Sequence, residues 1–355
     1  YNTKTEQSQL LDRSHIIHQD GMTLTGDTIY YDKANEYGRC IGHIESVDSA
    51  NQMTLFGNRG EVWENGHRAY VTDSAMMLEW SDTTDLTYMH ADSLWAEEIP
   101  FTTYSLIERD SILVDSVMTA QMPDTIWRDT TYQQLRAFHN VRIFRSDMQA
   151  VCDSARYHGK DSILTLFGLP ICWNEDNQLS ADQIDVYIKN QEVDYMHGVG
   201  NAIAIKREGI EEFNQLAGKE MFAYVRDRDI YLVDVQGNAE TVFYPQEDDG
   251  TYIGVNRTQS SFVKLYLKDR KIDYVLFTTA TTGVMIPLDQ ALENERKLSG
   301  FFWAEEERPH SPEDIFSHPP RTVRPVAGTV SAAAEDEEEA EEDEEENKAT
   351  RRQNR

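Results

Sequence analysis

The chain has 355 residues, a formal net charge of −30 and 39% hydrophobic residues. With a mean hydropathy of −0.61, that composition suits a thin, high-surface fold better than a thick core. Nucleic-acid binding is excluded by the charge. Residues 335–346 hold 11 acidic side chains and four basic ones follow, so the tail accounts for a net −7 and the body keeps about −23, with no basic stripe among aromatics. No run of 18 apolar residues is present, so no transmembrane segment is expected.

Residues 1–22 form a lead-in, with an edge strand expected at His15-Ile16-Ile17. The first residues, Tyr1-Asn2-Thr3-Lys4, carry neither a starting Met nor an apolar signal core, as expected if a signal peptide has been removed. From 23 to 285 one phrase recurs: a small residue, Asp, then Ser, Thr or Gln, then an apolar residue. It reads Gly26-Asp27-Thr28-Ile29, Thr72-Asp73-Ser74-Ala75, Ala91-Asp92-Ser93-Leu94, Cys152-Asp153-Ser154-Ala155 and Ala181-Asp182-Gln183-Ile184, with a worn copy at Gly218-Lys219-Glu220-Met221. A second phrase interleaves at Gly42-His43-Ile44, His139-Asn140-Val141, Gly200-Asn201-Ala202 and Gly237-Asn238-Ala239. Thr54-Leu55-Phe56-Gly57 leading through Trp63 to Asp73 aligns with Thr165-Leu166-Phe167-Gly168 leading through Trp173 to Asp182. Repeats on this scale are stacked copies of one supersecondary unit, none of which buries its apolar face alone.

The repeated segments read as strands. Ile184-Asp185-Val186-Tyr187-Ile188 and Phe262-Val263-Lys264-Leu265-Tyr266 alternate apolar and polar residues and are rich in β-branched and aromatic side chains. The repeated Asp residues read as bend formers, whose short side chains bond nearby backbone N–H groups. No long helical stretch lies between the strands, which argues against alternating strands and helices and for a sandwich, barrel or open solenoid. A propeller lacks its blade signature. An elongated, curled antiparallel sheet of repeated hairpins fits best.

An excursion at 97–135 reads as a longer hairpin inserted into one unit, and 207–216 as a short helix or wide loop. In the segment 286–327, Pro287 to Leu298 carries good helix formers behind a proline, so a short C-terminal helix is expected, followed by an extended, loosely held Pro-rich stretch. Residues 328–355 are expected to be a disordered acidic tail.

Catalytic and metal motifs are missing: no GxSxG elbow, P-loop, HExxH or EF-hand loop occurs, and the ten His residues are scattered. One Asp repeated five times makes a ladder and not a single constellation, so no enzyme, cofactor or metal is expected. Cys40, Cys152 and Cys172 have no CxxC spacing and their odd number forbids complete pairing; they read as buried free thiols, or as one disulfide and a free thiol in an oxidising compartment.

Leu24-Thr25-Gly26-Asp27-Thr28-Ile29-Tyr30-Tyr31, Leu179-Ser180-Ala181-Asp182-Gln183-Ile184 and Gly200-Asn201-Ala202 resemble the repeat of the OstA-like family, the LptA type of lipopolysaccharide-transport protein. The resemblance covers roughly 20–245 and more weakly reaches 285. It implies an open β-jellyroll in the periplasm or at the periplasmic face of the outer membrane. It also implies a non-enzymatic protein that carries lipopolysaccharide along an apolar groove. Ile29, Tyr31, Met77, Trp80, Leu94, Ile184, Val186 and Phe222 are the candidate groove residues; the alternative for the same side chains is the core of a closed sandwich. Lipid A acyl chains are the expected ligand, and other lipopolysaccharide-transport proteins, paired through strand edges, the expected partners. The rival reading is a structural adaptor that uses only those edges.

Overall fold

The computed structural model describes residues 4–17, 21–80, 86–107, 112–114, 117–119, 124–247 and 249–322; the expected disordered tail, 328–355, lies outside them. The N-terminal strands are β1 (Gln7–Ile17), β2 (Thr23–Asp32), β3 (Tyr37–Asp48), β4 (Met53–Trp63), β5 (Arg68–Trp80) and β6 (Leu86–Ile107). A small hairpin, β7 (Ile112–Val114) and β8 (Val117–Thr119), precedes β9 (Asp124–Arg145) and β10 (Met148–His158). Shorter pieces follow: β11 (Ile163–Phe167), β12 (Ile171–Asn174), β13 (Asn177–Ser180) and β14 (Gln183–Lys189). The last strands are β15 (Glu192–Arg207), β16 (Phe213–Arg226), β17 (Asp229–Phe243), β18 (Gly254–Lys268), β19 (Lys271–Thr278) and β20 (Thr282–Pro287).

The fold is all-β, and each strand of the large sheet pairs antiparallel with the next in the chain. β11 and β12 together occupy one strand position beside β10, and β14 and β13 together occupy the next, beside β15. β19 and β20 likewise share the last position, beside β18. The lead-in belongs to this sheet, because β1 pairs with β2 from Gln7 to Ile17. The excursion is the expected long hairpin: β6 and β9 pair continuously from Ser93↔Phe138 out to Ile107↔Asp124. Residues 208–212 are the turn of the β15–β16 hairpin and hold no helix.

Every strand position bends near its middle, where the ladder slips its register, at Thr25/Thr28, Ile41/Ile44, Phe56/Arg59 and on to Gln236/Ala239. The two interleaved phrases are the two sides of this bend. In alternate strands two successive residues meet it, at least one of them left-handed: Gly42-His43, Asp73-Ser74, His139-Asn140, Gly168-Leu169, Gly200-Asn201, Gly237-Asn238 and Thr279-Ala280, all with positive φ. The strands between bend at Asp27, Asn58, Asp92, Asp153, Asp182, Lys219 and Ser261, none with positive φ. Asp73 therefore belongs with the Gly-Asn class and not with Asp182. The alignment of 54–73 with 165–182 is out of phase by one strand, since β4 meets its bend at Asn58 and β11 at Gly168-Leu169. Asn, Asp, His and Gly are the residues that enter the left-handed region at least cost, which is why both classes look alike in sequence.

The bend folds the sheet into two walls. One inward row of the first wall runs Ile29, Cys40, Gly60, Val71, Leu94, Ala137, Ala155, Leu166, Ile184, Gly198, Met221, Val235 and Val263, each directly opposite the next. A row of the second wall runs Leu55, Met77, Met89, Ile143, Ala150, Cys172, Leu179, Ala204 and Leu216. From β4 onward the two rows share one continuous hydrophobic cluster.

Residues 288–322 form a strap over the outer face of the second wall. The expected helix is only one turn, Glu293–Arg296, and the rest is extended apart from the short turns Glu305–Glu307 and Pro312–Phe316. The segment is not loosely held. Phe302 and Ala304 are buried with Val151, Ile171 and Trp173, while Leu298 is buried with Ile203, Ile205, Val242 and Val255. Two side-chain amides grip its backbone like a missing strand. Gln178 donates to Phe302 O at 2.9 Å and accepts from Ala304 N at 2.9 Å; Gln215 donates to Arg296 O and accepts from Leu298 N, both at 2.7 Å. Buried Arg142 donates to Glu307 O at 2.9 Å and to Asp314 O at 3.3 Å. These partners lie up to 172 residues apart in sequence, so no local periodicity announces the strap.

Two outcomes test this architecture. A Cβ at Gly168 (φ +75°) would lie 2.5 Å from Asp153 Cβ, so Gly168→Ala is expected to cost about 1–3 kcal/mol in urea unfolding. The second concerns buried His90, whose ring packs 4.8 Å from Phe316 and 5.5 Å from His318 and bonds Ala75 O at 2.7 Å. Burial is the main cause holding its pKa below the ordinary value; the bond to Ala75 O and the charge of Asp92 oppose it, while His318 and Arg142 add to it. The folded state thus keeps the ring neutral, and its stability falls as pH drops below about 6.5. Hydrogen-exchange protection of 312–316 should decline between pH 7.5 and 5.5 more than that of β15–β16.

Candidate functional site

Because side chains alternate along a strand, the parity of each candidate groove residue decides which face it occupies. Ile29, Leu94 and Ile184 stand in the inward row of the first wall and Met77 in that of the second; Val186 stands in the next row of the first wall, with Tyr31 further along it. Ile184 is 0% exposed, Leu94 1% and Val186 2%, while Tyr31 is half-buried and donates its hydroxyl to Glu64 at 2.9 Å. Desolvation, with Glu64 adding, pushes the Tyr31 phenol up to about 12.

Two candidates face the other way. Trp80 shares parity with Met76 and Leu78, opposite the buried Ala75 and Met77. Phe222 lies between buried Met221 and Ala223 and stacks at 4.1 Å on His197 across the outer face. For Trp80 plain alternation holds through the bend: Val71, Ala75 and Met77 are an even number of residues apart and face inward, so Trp80, three residues from Met77, faces out. For Phe222 the outer face is itself aromatic, with Tyr187, Tyr195 and Tyr224 in one row, so apolar character alone does not mark the inside.

The interior is apolar and tightly filled along its middle. It also holds two thiols, Cys152 and Cys172, and Cys40 lies in a small cluster with Ile29 and Ile44. All three thiols are free and buried. Burial pushes Cys40 up to about 11 and Cys172 up to about 12; it also raises Cys152, with Cys172 beside it adding to the shift. Such thiols pack as small apolar groups and are poor nucleophiles.

Opposite the bends, the hairpin tips of the two walls meet in a seam. Gln191 Nε2 donates to Gln52 Oε1 at 3.3 Å, and Arg270 reaches Glu175 across the seam while bonding Asp229 at 2.9 Å. Arg228 pairs with Glu192 at 3.1 Å beside them, and the Arg145–Asp147 pair closes the tip of β9–β10. A cleft of about 20 Å³ lies between those tips, and one of about 580 Å³, lined by Lys189, Asp194, Arg226 and Arg228 among others, opens onto the surface next to it.

The bends carry the most concentrated polar groups. Asp27 Oδ2 lies 2.6 Å from His43 Nδ1, Asp153 Oδ1 3.2 Å from His139 Nδ1, and Asn140 and Asn201 donate to Asp92 and Asp182 at 3.0–3.2 Å. The His43 bond leads the causes that hold the Asp27 carboxyl below its usual range. Each pair joins one strand's bend to a neighbour's. Ser154 Oγ donates to Asp153 and not to His139, so no hydroxyl is activated there. Among the described residues no group of three or more His, Cys, Asp or Glu could hold a metal ion, and no helix is long and apolar enough to cross a membrane.

Neither a model of a known family nor a curated protein matches the chain.

The facing of the candidates predicts opposite costs for opposite sizes. Ile184→Ala removes a fully enclosed side chain and is expected to cost about 2–5 kcal/mol in urea unfolding. Phe222→Ala removes the larger group but only an outer-face stack, worth about 1 kcal/mol.

Proposed function

We propose that this is a non-enzymatic periplasmic lipid-binding protein that helps carry lipopolysaccharide to the outer membrane, with lipid A acyl chains held between the two walls. The observation that carries this reading is the unbroken inward row from Ile29 to Val263, apolar or glycine at every strand position. The same row would also serve as the core of a closed sandwich, so the length of the lane across the sheet is what the lipid reading uses. Each methylene of a lipid tail buried there contributes about 0.8 kcal/mol. The resemblance of the two bend phrases to the OstA-like repeat supports the same reading, and supports assigning the chain to that family as a larger variant.

The middle of the lane is filled by the protein's own side chains, so loading requires the walls to part and acyl chains to replace those side chains as packing partners. With a body at about −23, most of the surface repels anionic head groups and the larger share of the affinity rests on the acyl chains.

The adaptor reading is kept by a specific observation. Among the described residues β1 pairs with β2 alone, and β19 and β20 pair with β18 alone, so the sheet they form presents an open edge at each end. Leu11 (66% exposed) stands on the first edge; Leu276 (50%) and Val284 (51%) stand on the last. Such edges recruit strands of neighbouring proteins, and other lipopolysaccharide-transport proteins are the proposed partners.

Photo-crosslinking residues at Val186 and Met196, which face inward, should trap lipopolysaccharide, whereas the same residues at Asp185 and His197, which face outward, should not. Equal trapping by both sets, or none by either in folded protein, would leave the adaptor reading in its place.

A further inference from the structure

The two clefts at the seam share Glu192, Val193, Val225 and Arg228. One opens to solvent, with Lys189, Arg226 and Arg228 set among the carboxylates of Glu192, Asp194 and Asp227. The other narrows between the wall tips onto Met148, Met196 and Ile230, and these three belong to or pack against the central hydrophobic cluster. A path therefore leads from a charged surface cleft, past two valines, to the apolar lane.

The tips that close this path are held by weak bonds. Within a wall each strand is joined to its neighbour by a full ladder. Across the seam stand the hydrogen bond from the Gln191 side-chain amide to that of Gln52 and the Arg270–Glu175 ion pair, with Arg145–Asp147 and Arg228–Glu192 beside the mouth. The partners of the pairs at Arg228 and Arg270 are about half exposed, and such pairs contribute little each. Separating the tips near Met196 breaks no backbone ladder. It bares apolar surface, and a hydrocarbon chain that enters covers that surface again.

We propose that this mouth is where a single acyl chain of an anionic amphiphile enters, by parting of the β3–β4 and β9–β10 tips from the tips of β14–β15 and β16–β17. The acyl chain passes between Val193 and Val225 toward Met196, and the acidic head group stays in the outer cleft against Arg226 and Lys189. The proposal rests on the lipid-binding reading and adds to it the place of entry and the element that moves.

A cleavable bismaleimide joining Gln52→Cys to Gln191→Cys tests it, because those side chains already touch across the seam. The three native thiols are buried and raised in pKa, so the engineered pair is the one that reacts. Linkage is made on folded protein, and circular dichroism before and after checks that the sheet is kept. The probe is cis-parinaric acid, a single acyl chain with a carboxylate whose fluorescence rises on burial. Its association should slow at least tenfold in the linked protein and recover when the linker is cleaved by reductant. Arg226→Glu in the unlinked protein should weaken binding of the acid severalfold and leave that of its methyl ester unchanged. Equal association with linked and unlinked protein would overturn the mouth while leaving lipid binding standing. No binding to the unlinked protein would overturn the lipid reading and the mouth with it.

Discussion

Everything in this fold follows from one backbone constraint: every strand must bend at the same height. A flat antiparallel sheet of this length would expose one apolar face to water. The bend folds that face onto itself, and the residues that make it are those able to occupy the left-handed region or to bond across it. Alternate strands supply two residues, at least one of them left-handed, and their neighbours supply a short polar side chain that bonds back, as Asp182 does with Asn201 at 3.0 Å. At each bend one partner leaves one residue more unpaired than the other, as β9 does with His139-Asn140 against Asp153 of β10, and the inward row still runs unbroken from one end of the sheet to the other.

The bend also explains what was legible in the sequence. The two interleaved phrases are the two chemistries of the bend, so the strand class, the curled sheet and the long hairpin at 97–135 could all be inferred from residues. The phase could not be followed everywhere. Asp73-Ser74 takes a left-handed pair where Gly-Asn serves elsewhere, and Asp is common to both classes, so the N-terminal repeats slipped by one strand. Trp80 lies three residues from Met77, so the alternation of side chains along β5 already sets the two on opposite faces. Phe222 failed for another reason, since the outer face of these strands carries its own ladder of aromatic rings. The strap was invisible because its grip depends on Gln178, Gln215 and Arg142, ordinary polar residues whose partners lie far away along the chain.

Those buried polar groups shape how the second wall behaves. Its inner face packs against the first wall and its outer face against the strap, so this wall is enclosed on both sides where the first wall has an open outer face. Amide forks from Gln178 and Gln215 satisfy strap backbone that would otherwise be buried without partners. The Trp173 and Trp303 indole nitrogens find no partner beneath it, which sets a cost against the apolar packing of Phe302 and Leu298. The second wall is thus the more enclosed half of the molecule, and on the proposed entry route it is the first wall's tips that move.

The lipid reading and the adaptor reading meet at the ends of the sheet. The inward row does not stop at Val263: it continues to Phe277 on β19 at one end and to Leu10 on β1 at the other. Both end residues are more exposed than those between them, Leu10 at 38%, because no further strand covers them. A neighbouring sheet that added its strand to either edge would satisfy the free backbone groups and, by the alternation of side chains, bring its own inward row into line with this one. On the proposed function, edge pairing and the apolar lane are then one device, since pairing at the ends is what would lengthen the lane beyond a single chain.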